Sequence, residues 1–511
     1  MRFKIPKEKI VEWFPGFEDD PGLIEGINPL ERLAKQFNIE IPSSTPQYDL
    51  CEDESKNIPE WYNGPIENEE RVLSGKNTDT KIQLNRMEST IYSLVEANIV
   101  VLASSVNGYK DNDENFLVEC AREQIGLGLN WMQNANKGAY EILQNYIADT
   151  VKIGYMTTLS GGAGIIGKQM QNAVNLAMQH KGGKLGGMDA EIIYADDQRK
   201  PDIAKQLANR LLKSDRVDIV AGVIWSNLLM AIHKPVTRAG NLLISSNAGP
   251  SPIAGDQCHE NFFSMSWQND QTPEAMGKHM QDAGIKSVYL MAPNYQAGKD
   301  MLAGVKRYYK GDVVGEVYTK LGQSDFQAEL SALRAVKPET TMIFQPGGMG
   351  INFVKQWKQA GMDQVSKLYT VFSVDGVSLP ALKDSALGIL GTQTWSPDLD
   401  NPINKKFVAD YKAQFGGYPS FYAAQAYDTI LAIDYAITKS GSKDTAKMRA
   451  ALASGDIPTT RGNLKMNTNH FPIQNIYLRE TVKDADGVVT TKVIGTVFNN
   501  HADSYAVNCK F

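Results

Sequence analysis

The chain has 511 residues, 42% hydrophobic and 22% charged, with a formal net charge of -6 at pH 7, a composition ordinary for soluble globular protein and a length of about three domain-sized units. The charge is uneven: residues 1–150 carry 14 Lys and Arg against 26 Asp and Glu, and the remainder carries 38 against 32, with no dense basic run to suggest nucleic acid. No apolar run is long enough for a membrane span, the N-terminus MRFKIPKEKIVEWFPGFEDD lacks the apolar core of a signal peptide, and the four cysteines form no C-x-x-C.

Residues 1–80 are rich in Pro, Asn, Asp and Glu, with short apolar islands such as Leu30 to Phe37. They read as loops with one or two short helices. From about Lys81 the pattern turns helical, with Leu84, Met87, Ile91, Leu94 and Val95 at three- and four-residue steps. Further helices are expected over Glu114–Gln133 and Gly138–Ile147. Residues 1–148 therefore read as a small, acidic, mainly α-helical unit. It shows no catalytic constellation, and its Trp and Met residues read as core.

From Val151 the character changes. VKIGYMTTLSGGAGIIG is a short apolar strand, a Ser/Gly-rich turn and the start of a helix. Strands are expected at Val151–Met156, Asp189–Tyr194, Val217–Val223, Leu242–Ser246, Ser287–Met291, Gly315–Tyr318, Thr341–Gln345, Leu368–Val371 and Leu387–Thr392. Helices fit between most of them, among them Pro201–Lys213, Ala297–Tyr308, Phe326–Val336, Ile351–Ala360 and Ser420–Lys439. Short apolar strands alternating with amphipathic helices predict an α/β architecture of parallel sheets covered on both faces. The end differs: Leu464–Met466, Ile473–Arg479 and Val488–Val497 read as closely spaced β-structure with a hairpin at Ala485-Asp486-Gly487.

Open parallel sheets bind ligands beyond the carboxyl ends of their strands. The loops at those ends are Leu159–Gly167, Trp225–Asn227, Asn247–Gly249, Pro293–Gly298, Pro346–Gly350 and Ser373–Gly376. Several carry Ser, Asn, Gly and Pro, which suits hydrogen bonding to a small solute and is poor material for acid–base chemistry. Gly162, Gly164 and Gly167 form G-x-G-x-x-G, but TTLS separates them from the strand, and Asp196 and Asp197 come later than a dinucleotide fingerprint requires. A solute-binding turn offering helix N-terminal amides to an anion is the plainer reading. The six histidines form no H-x-x-x-H, so no metal is assigned. Asp375, in SVDGV, is either a turn carboxylate or a partner for a ligand ammonium. Cys258 and Cys509 either pair as a disulfide or stay free thiols.

Residues 149–511 resemble the periplasmic solute-binding proteins of branched-chain amino acid-type ABC transporters. The ordered motifs are VKIGYMTTLSGGAGIIG, YADDQRKPDIAKQLANRLL, VAGVIWSN, ISSNAGPS, APNYQAGKD, FSVDGVSLPAL and FVADYKAQFGGYPSFYAAQAYDTILAIDYAI. The resemblance implies a two-lobed periplasmic binding protein type I fold with three crossovers. Lobe one would be about 151–268 plus 392–462, and lobe two about 269–391 plus 463–511. It also implies site residues. Ser226 matches a serine that hydrogen-bonds the ligand carboxylate, and Asn247, Ala248 and Gly249 match the loop whose amides bind the same group. Tyr295 matches a lobe-two tyrosine over the ligand, Pro346 and Gly347 lie near another contact, and Asp375 matches the acid that binds the α-ammonium. Ile166 sits where amino-acid binders place an aromatic residue.

The chain departs from the family in two ways. Gly249 replaces a threonine, and the ending RGNLKMNTNHFPIQNIYLRE…HADSYAVNCKF resembles the branch associated with aromatic carboxylates. A leucine-like amino acid and an aromatic acid therefore both remain as ligands. In addition, Ala148-Asp149-Thr150-Val151 looks like the start of a mature exported protein, with the acidic unit where a signal peptide would stand. The expectation is a non-enzymatic binding protein without cofactor. It would close on its ligand and deliver it to ABC permease subunits, in the periplasm by resemblance. The alternatives are a cytoplasmic sensor signalling through the N-terminal unit, and an NAD-dependent oxidoreductase using the Gly162–Gly167 loop.

Overall fold

The apolar stretch VKIGYMT forms β1 (Val151–Thr157), buried at every residue but Lys152. The structure, a computed structural model, describes residues 150–511, one of the two units, Met1–Asp149 and Thr150–Phe511, into which the chain divides. The helices expected between Lys81 and Ile147 lie outside the described residues. After β1 come α1 (Gly164–His180), β2 (Lys184–Leu185), β3 (Met188–Asp196), α2 (Pro201–Lys213), β4 (Ile219–Gly222), α3 (Ser226–Arg238), β5 (Leu242–Ser245), α4 (Ser251–Ala254) and β6 (Phe262–Ser264). The sheet order is β2-β3-β1-β4-β5-β6. Pairing is parallel from β3 to β6, and β2 joins β3 antiparallel. Every residue of β4 and β5 is buried, as expected of strands covered on both faces.

The chain then builds a second sheet. Its elements are α5 (Gln271–Asp282), β7 (Ser287–Pro293), α6 (Gln296–Tyr308), β8 (Asp312–Thr319), α7 (Gln327–Val336), β9 (Thr340–Phe344), α8 (Gly348–Gln359), β10 (Lys367–Val371), α9 (Leu379–Leu382) and β11 (Leu390–Gln393). It returns to the first sheet as α10 (Pro402–Phe415), α11 (Phe421–Ser440) and α12 (Thr445–Ser454), with α11 lying along α1 and touching β2 and β4. It crosses once more through β12 (Ile457–Thr459) and β13 (Gly462–Met466), and ends in the second sheet as β14 (Pro472–Lys483) and β15 (Val489–His501). The second order is β12-β13-β14-β11-β10-β9-β7-β8, with β15 paired to β14. Two lobes joined by three passes of chain result.

The expected strands recur with adjusted ends. β8 begins three residues before the expected Gly315, because an edge strand with exposed Val313 and Val314 lacks an apolar signature. β2 and β6, two and three residues long, were not expected, since runs that short carry no readable period. The second sheet is mixed: β14 runs antiparallel to β11 and β15. The hairpin turns on Asp484, which receives the Gly487 N–H at 3.0 Å, with Gly487 at φ 77°.

The first and third passes meet at Arg461, and Asn401 from the second donates to the neighbouring Thr460 O at 2.7 Å. Arg461 Nε donates to Asp428 on α11 at 3.1 Å, and its Nη1 donates to Ser266 O at 3.0 Å and Gln474 Oε1 at 2.6 Å. Thr460 adds its N–H and hydroxyl to Asp428 at 2.7 and 2.9 Å. Both charges are buried, and this set of bonds is what makes such a pair tolerable. Cys258, beyond α4, and Cys509, in the tail beyond β15, form a disulfide, with sulfurs 2.13 Å apart.

Candidate functional site

The cleft between the lobes is built from the carboxyl ends of both sheets. Its wall comprises Ile224, Trp225, Ser226, Asn247, Ala248, Trp267 and Asn269 from the first lobe and its crossover. Tyr295, Ala297, Met301, Phe344, Pro346, Phe372 and Tyr422 complete it, around about 300 Å³ of empty volume that is partly open to solvent. The aromatic rings form a continuous surface. Trp267 lies 4.3 Å from Phe372, Phe372 5.8 Å from Phe344, Phe344 6.2 Å from Tyr295, and Tyr295 6.2 Å from Trp225, centroid to centroid. Every side chain in the wall is uncharged.

The polar corner is small and rigid. Ser226 is the first residue of α3, so it lies at a helix end whose free N–H groups favour an anion. The following loop is braced from several sides. Tyr155 donates to Ser246 Oγ at 3.0 Å, Ser245 Oγ to Ala248 O at 2.6 Å, Ser266 Oγ to Asn247 O at 2.8 Å, and Asn247 Nδ2 to Ile224 O at 2.7 Å. Asn247 Oδ1 is buried without a partner among the described residues. The Ala248 N–H donates to Val223 O and the Gly249 N–H to Asn269 Oδ1, each at 3.2 Å. Two of the three expected loop amides are thus engaged inside the lobe.

Of the residues singled out from the sequence, Ser226, Asn247, Ala248, Tyr295 and Pro346 stand together in the wall. Gly249 lies behind it: a Cβ there would meet Trp267 O at 2.0 Å, which is why no threonine stands at this position. Ile166 and Gly347 meet each other across the lobes instead, a Cβ at Gly347 coming within 3.0 Å of Ile166 Cδ1. Asp375 also lies outside the wall. Its Oδ1 accepts the Val377 N–H at 3.0 Å, and its Oδ2 is buried without a partner among the described residues. Burial pushes its carboxyl up to about 7, against the opposing pull of the Val377 N–H and the Arg479 guanidinium.

Most of the aromatic wall was not singled out from the sequence: Trp225, Trp267, Phe344, Phe372 and Tyr422, together with Asn269. Trp225, Phe372 and Tyr422 lie inside the quoted motifs, and Trp225 opens one of the strand-end loops, so their position was the available signal. Burial raises both Tyr295 and Tyr422, so both stay protonated and can donate. Arg199 carries its guanidinium 5.8 Å from the Trp225 ring, and both Gln198 and Arg199 hold left-handed backbone, at φ 50° and 57°.

In the Gly162–Gly167 turn, Gly164 and Gly167 allow close backbone packing, while Gly162 stands open. A Cβ at Gly164 would meet Leu159 O at 2.5 Å, and one at Gly167 would meet Thr158 O at 1.9 Å. The two acids of the dinucleotide reading brace the same loop. Asp196 accepts the Leu159 N–H at 2.8 Å, and Asp197 accepts the Thr158 hydroxyl at 2.5 Å and the Arg199 N–H at 2.8 Å. Burial holds Asp197 up at about 6. Among the described residues no group of three or more His, Cys, Asp or Glu is arranged to hold a metal, and no helix is long and apolar enough to cross a membrane.

Residues 150–487 match the family described as periplasmic binding protein. A Leu/Ile/Val-binding protein homolog 6 from Brucella melitensis is 29% identical over 361 residues, covering 68% of this chain and 92% of its own. Among solved structures, an ABC transporter solute-binding protein from R. palustris in complex with benzoate superposes with a TM-score of 0.66 at 30% identity, over 71% of this chain and all of the other. A solute-binding protein from Rhodopseudomonas palustris BisB5 in complex with 3,4-dihydroxybenzoic acid also superposes with a TM-score of 0.66 at 30% identity, over 70% of this chain and 99% of the other.

Proposed function

The chain belongs to the periplasmic binding protein family, and from that premise we propose that it binds a small aromatic carboxylate in the interlobe cleft and delivers it to an ABC permease. The composition of the wall carries the choice of ligand. An amino acid brings an ammonium, which needs a buried carboxylate beside it. The wall offers six aromatic rings and no charged side chain, and Asp375 lies outside it with one oxygen bound to the Val377 N–H. In this reading a benzoate-type ring packs against the surface formed by Trp225, Trp267, Phe344 and Phe372, and its carboxylate lies at the N-terminus of α3. The Tyr295 and Tyr422 hydroxyls suit a ring substituent. The relatives bound to benzoate and 3,4-dihydroxybenzoic acid support this reading, and the disulfide suits an oxidising compartment such as the periplasm.

Thermal unfolding with benzoate, 4-hydroxybenzoate and leucine tests the proposal. A ligand at a hundredfold excess over Kd stabilises the folded state by about 2.7 kcal/mol. The aromatic acids are expected to raise the melting temperature and leucine to leave it unchanged. A shift with leucine and none with the aromatic acids overturns the assignment.

A further inference from the structure

The hydroxyl of Ser226 has one hydrogen to give and two lone pairs to receive with. The residue that decides their use lies on the first crossover. Asn269 Nδ2 donates to Ser226 Oγ at 3.1 Å and to Asp300 Oδ2 at 2.9 Å, and Asn269 Oδ1 accepts the Gly249 N–H at 3.2 Å. These neighbours determine the orientation of the amide. The opposite one would set its oxygen against the Asp300 carboxylate and its NH2 against the Gly249 N–H. Asp300, on α6, is held in turn by Ser251 N and Oγ at 3.1 and 2.7 Å and by Gln296 Nε2 at 2.8 Å. Ser226, Asn269 and Asp300 are all buried. Both hydrogens of the Asn269 amide are engaged, so it has none left for a ligand. Ser226 Oγ accepts from Asn269 and finds no acceptor for its own hydrogen among the described residues, so that hydrogen is left for the cleft.

We propose that Asn269 is the positioning residue for anion recognition: it holds the Ser226 hydroxyl as a donor facing the cleft and ties that donor, through Asp300, to lobe two. The proposal rests on the reading of Ser226 as the partner of the ligand carboxylate. A polar corner that offers a hydrogen favours the charged acceptor of benzoate over the weaker neutral carbonyl of the equally shaped benzamide, whose NH2 also needs an acceptor.

The test compares benzoate and benzamide affinities by titration calorimetry in the full chain and its variants. N269D replaces a donor with an acceptor, so Ser226 turns its hydrogen to the new carboxylate and a negative charge faces Asp300. Benzoate affinity is expected to fall about tenfold to hundredfold, benzamide affinity far less, and benzoate binding to recover as the pH is lowered from about 8 to about 5.5 and the new carboxyl takes a proton. N269A, which frees the hydroxyl to rotate without adding charge, is expected to lower the benzoate-to-benzamide ratio in the same direction, and serves if N269D does not fold. Equal losses for both probes in N269D or N269A overturn the proposal, because a packing role weakens both alike. If S226A weakens benzoate while the N269 variants keep the ratio, the positioning role alone falls. If S226A leaves benzoate binding intact, the role of Ser226 falls, and Asn269's with it. A wild-type chain that binds neither probe removes the aromatic-carboxylate reading as well.

Discussion

Gly249 shows how one atom sets the shape of the polar corner. Its Cβ-less backbone passes beside Trp267 O at a distance no side chain permits. Gly249→Ala is therefore expected to push the loop from its seat and cost about 1–3 kcal/mol, read as a lower urea midpoint; an unchanged midpoint would mean the loop yields freely. Asp375 is buried outside the wall, with Oδ1 on the Val377 N–H and Oδ2 without a partner among the described residues. Folded, its carboxyl is held up to about 7 against an ordinary 3.8. A group that binds its proton more tightly when folded adds stability at low pH, complete below its unfolded value and lost as the pH rises through about 7. Asp270 and Asp197, raised to about 7 and about 6, act with the same sign. Asp375→Asn should therefore flatten the fall in melting temperature between about pH 4 and pH 7. The same pH slope in wild type and variant would show that Asp375 is solvated in solution. Neither fact was legible in the local sequence, because a carboxylate at a strand end and a glycine after Asn-Ala look alike whether they face a ligand or the backbone behind it.

Among the elements, α3 and the crossovers carry the most consequence. α3 presents its N-terminus to the cleft while burying Leu228, Leu229, Ile232 and Val236 beneath it, and it tolerates Pro235 in its last turn. Its period was readable, but the sequence did not show which helix end would face the partner lobe. The crossovers are short, and Arg461 ties the third of them to the first and to α11. Replacing Arg461 by Ala leaves Asp428 buried and unpaired, an expected loss of about 3–5 kcal/mol. Exchanging both residues together for apolar ones should cost much less. A double-mutant cycle in denaturant measures the difference, and additive single effects would show that the two charges do not depend on each other.

At the scale of the whole molecule, the cleft exists because two sheets present their carboxyl ends to each other. Gln169 on α1 donates to Gly376 O at 3.0 Å and accepts the Ser420 N–H at 3.0 Å, fastening the edge of the same seam. Trp225 and Trp267 stand in the wall, so an aromatic acid that favours the closed arrangement should change tryptophan emission. W225F should lose part of that change, and an unaltered ligand response in W225F would put the ligand elsewhere. The tail beyond β15 returns to the first lobe and is fixed there by Cys258–Cys509, 251 residues apart in sequence. Closing so long a loop restricts the unfolded chain, so reduction should cost about 2–5 kcal/mol. The check is the denaturant midpoint with and without reductant, and equal midpoints would mean the tail is held without its covalent bond.

What the sequence determined by itself is the α/β architecture and the loops that matter. Strand and helix periods are local, and open parallel sheets bind at strand ends whatever their detail. The strand ends gave the loops, and the resemblance to the family picked Ser226, Asn247, Ala248, Tyr295 and Pro346 out of them. The tertiary structure alone decided which neighbours share the cleft. The pairing of β9 with β10 sets Phe344 beside Phe372, and the crossing of the lobes brings Trp267 and Tyr422, from other segments, to the same wall. The same crossing placed Ile166 against Gly347 and left Asp375 behind the wall. The character of the cleft, aromatic and uncharged, is a product of distant segments meeting, and no window of sequence contains it.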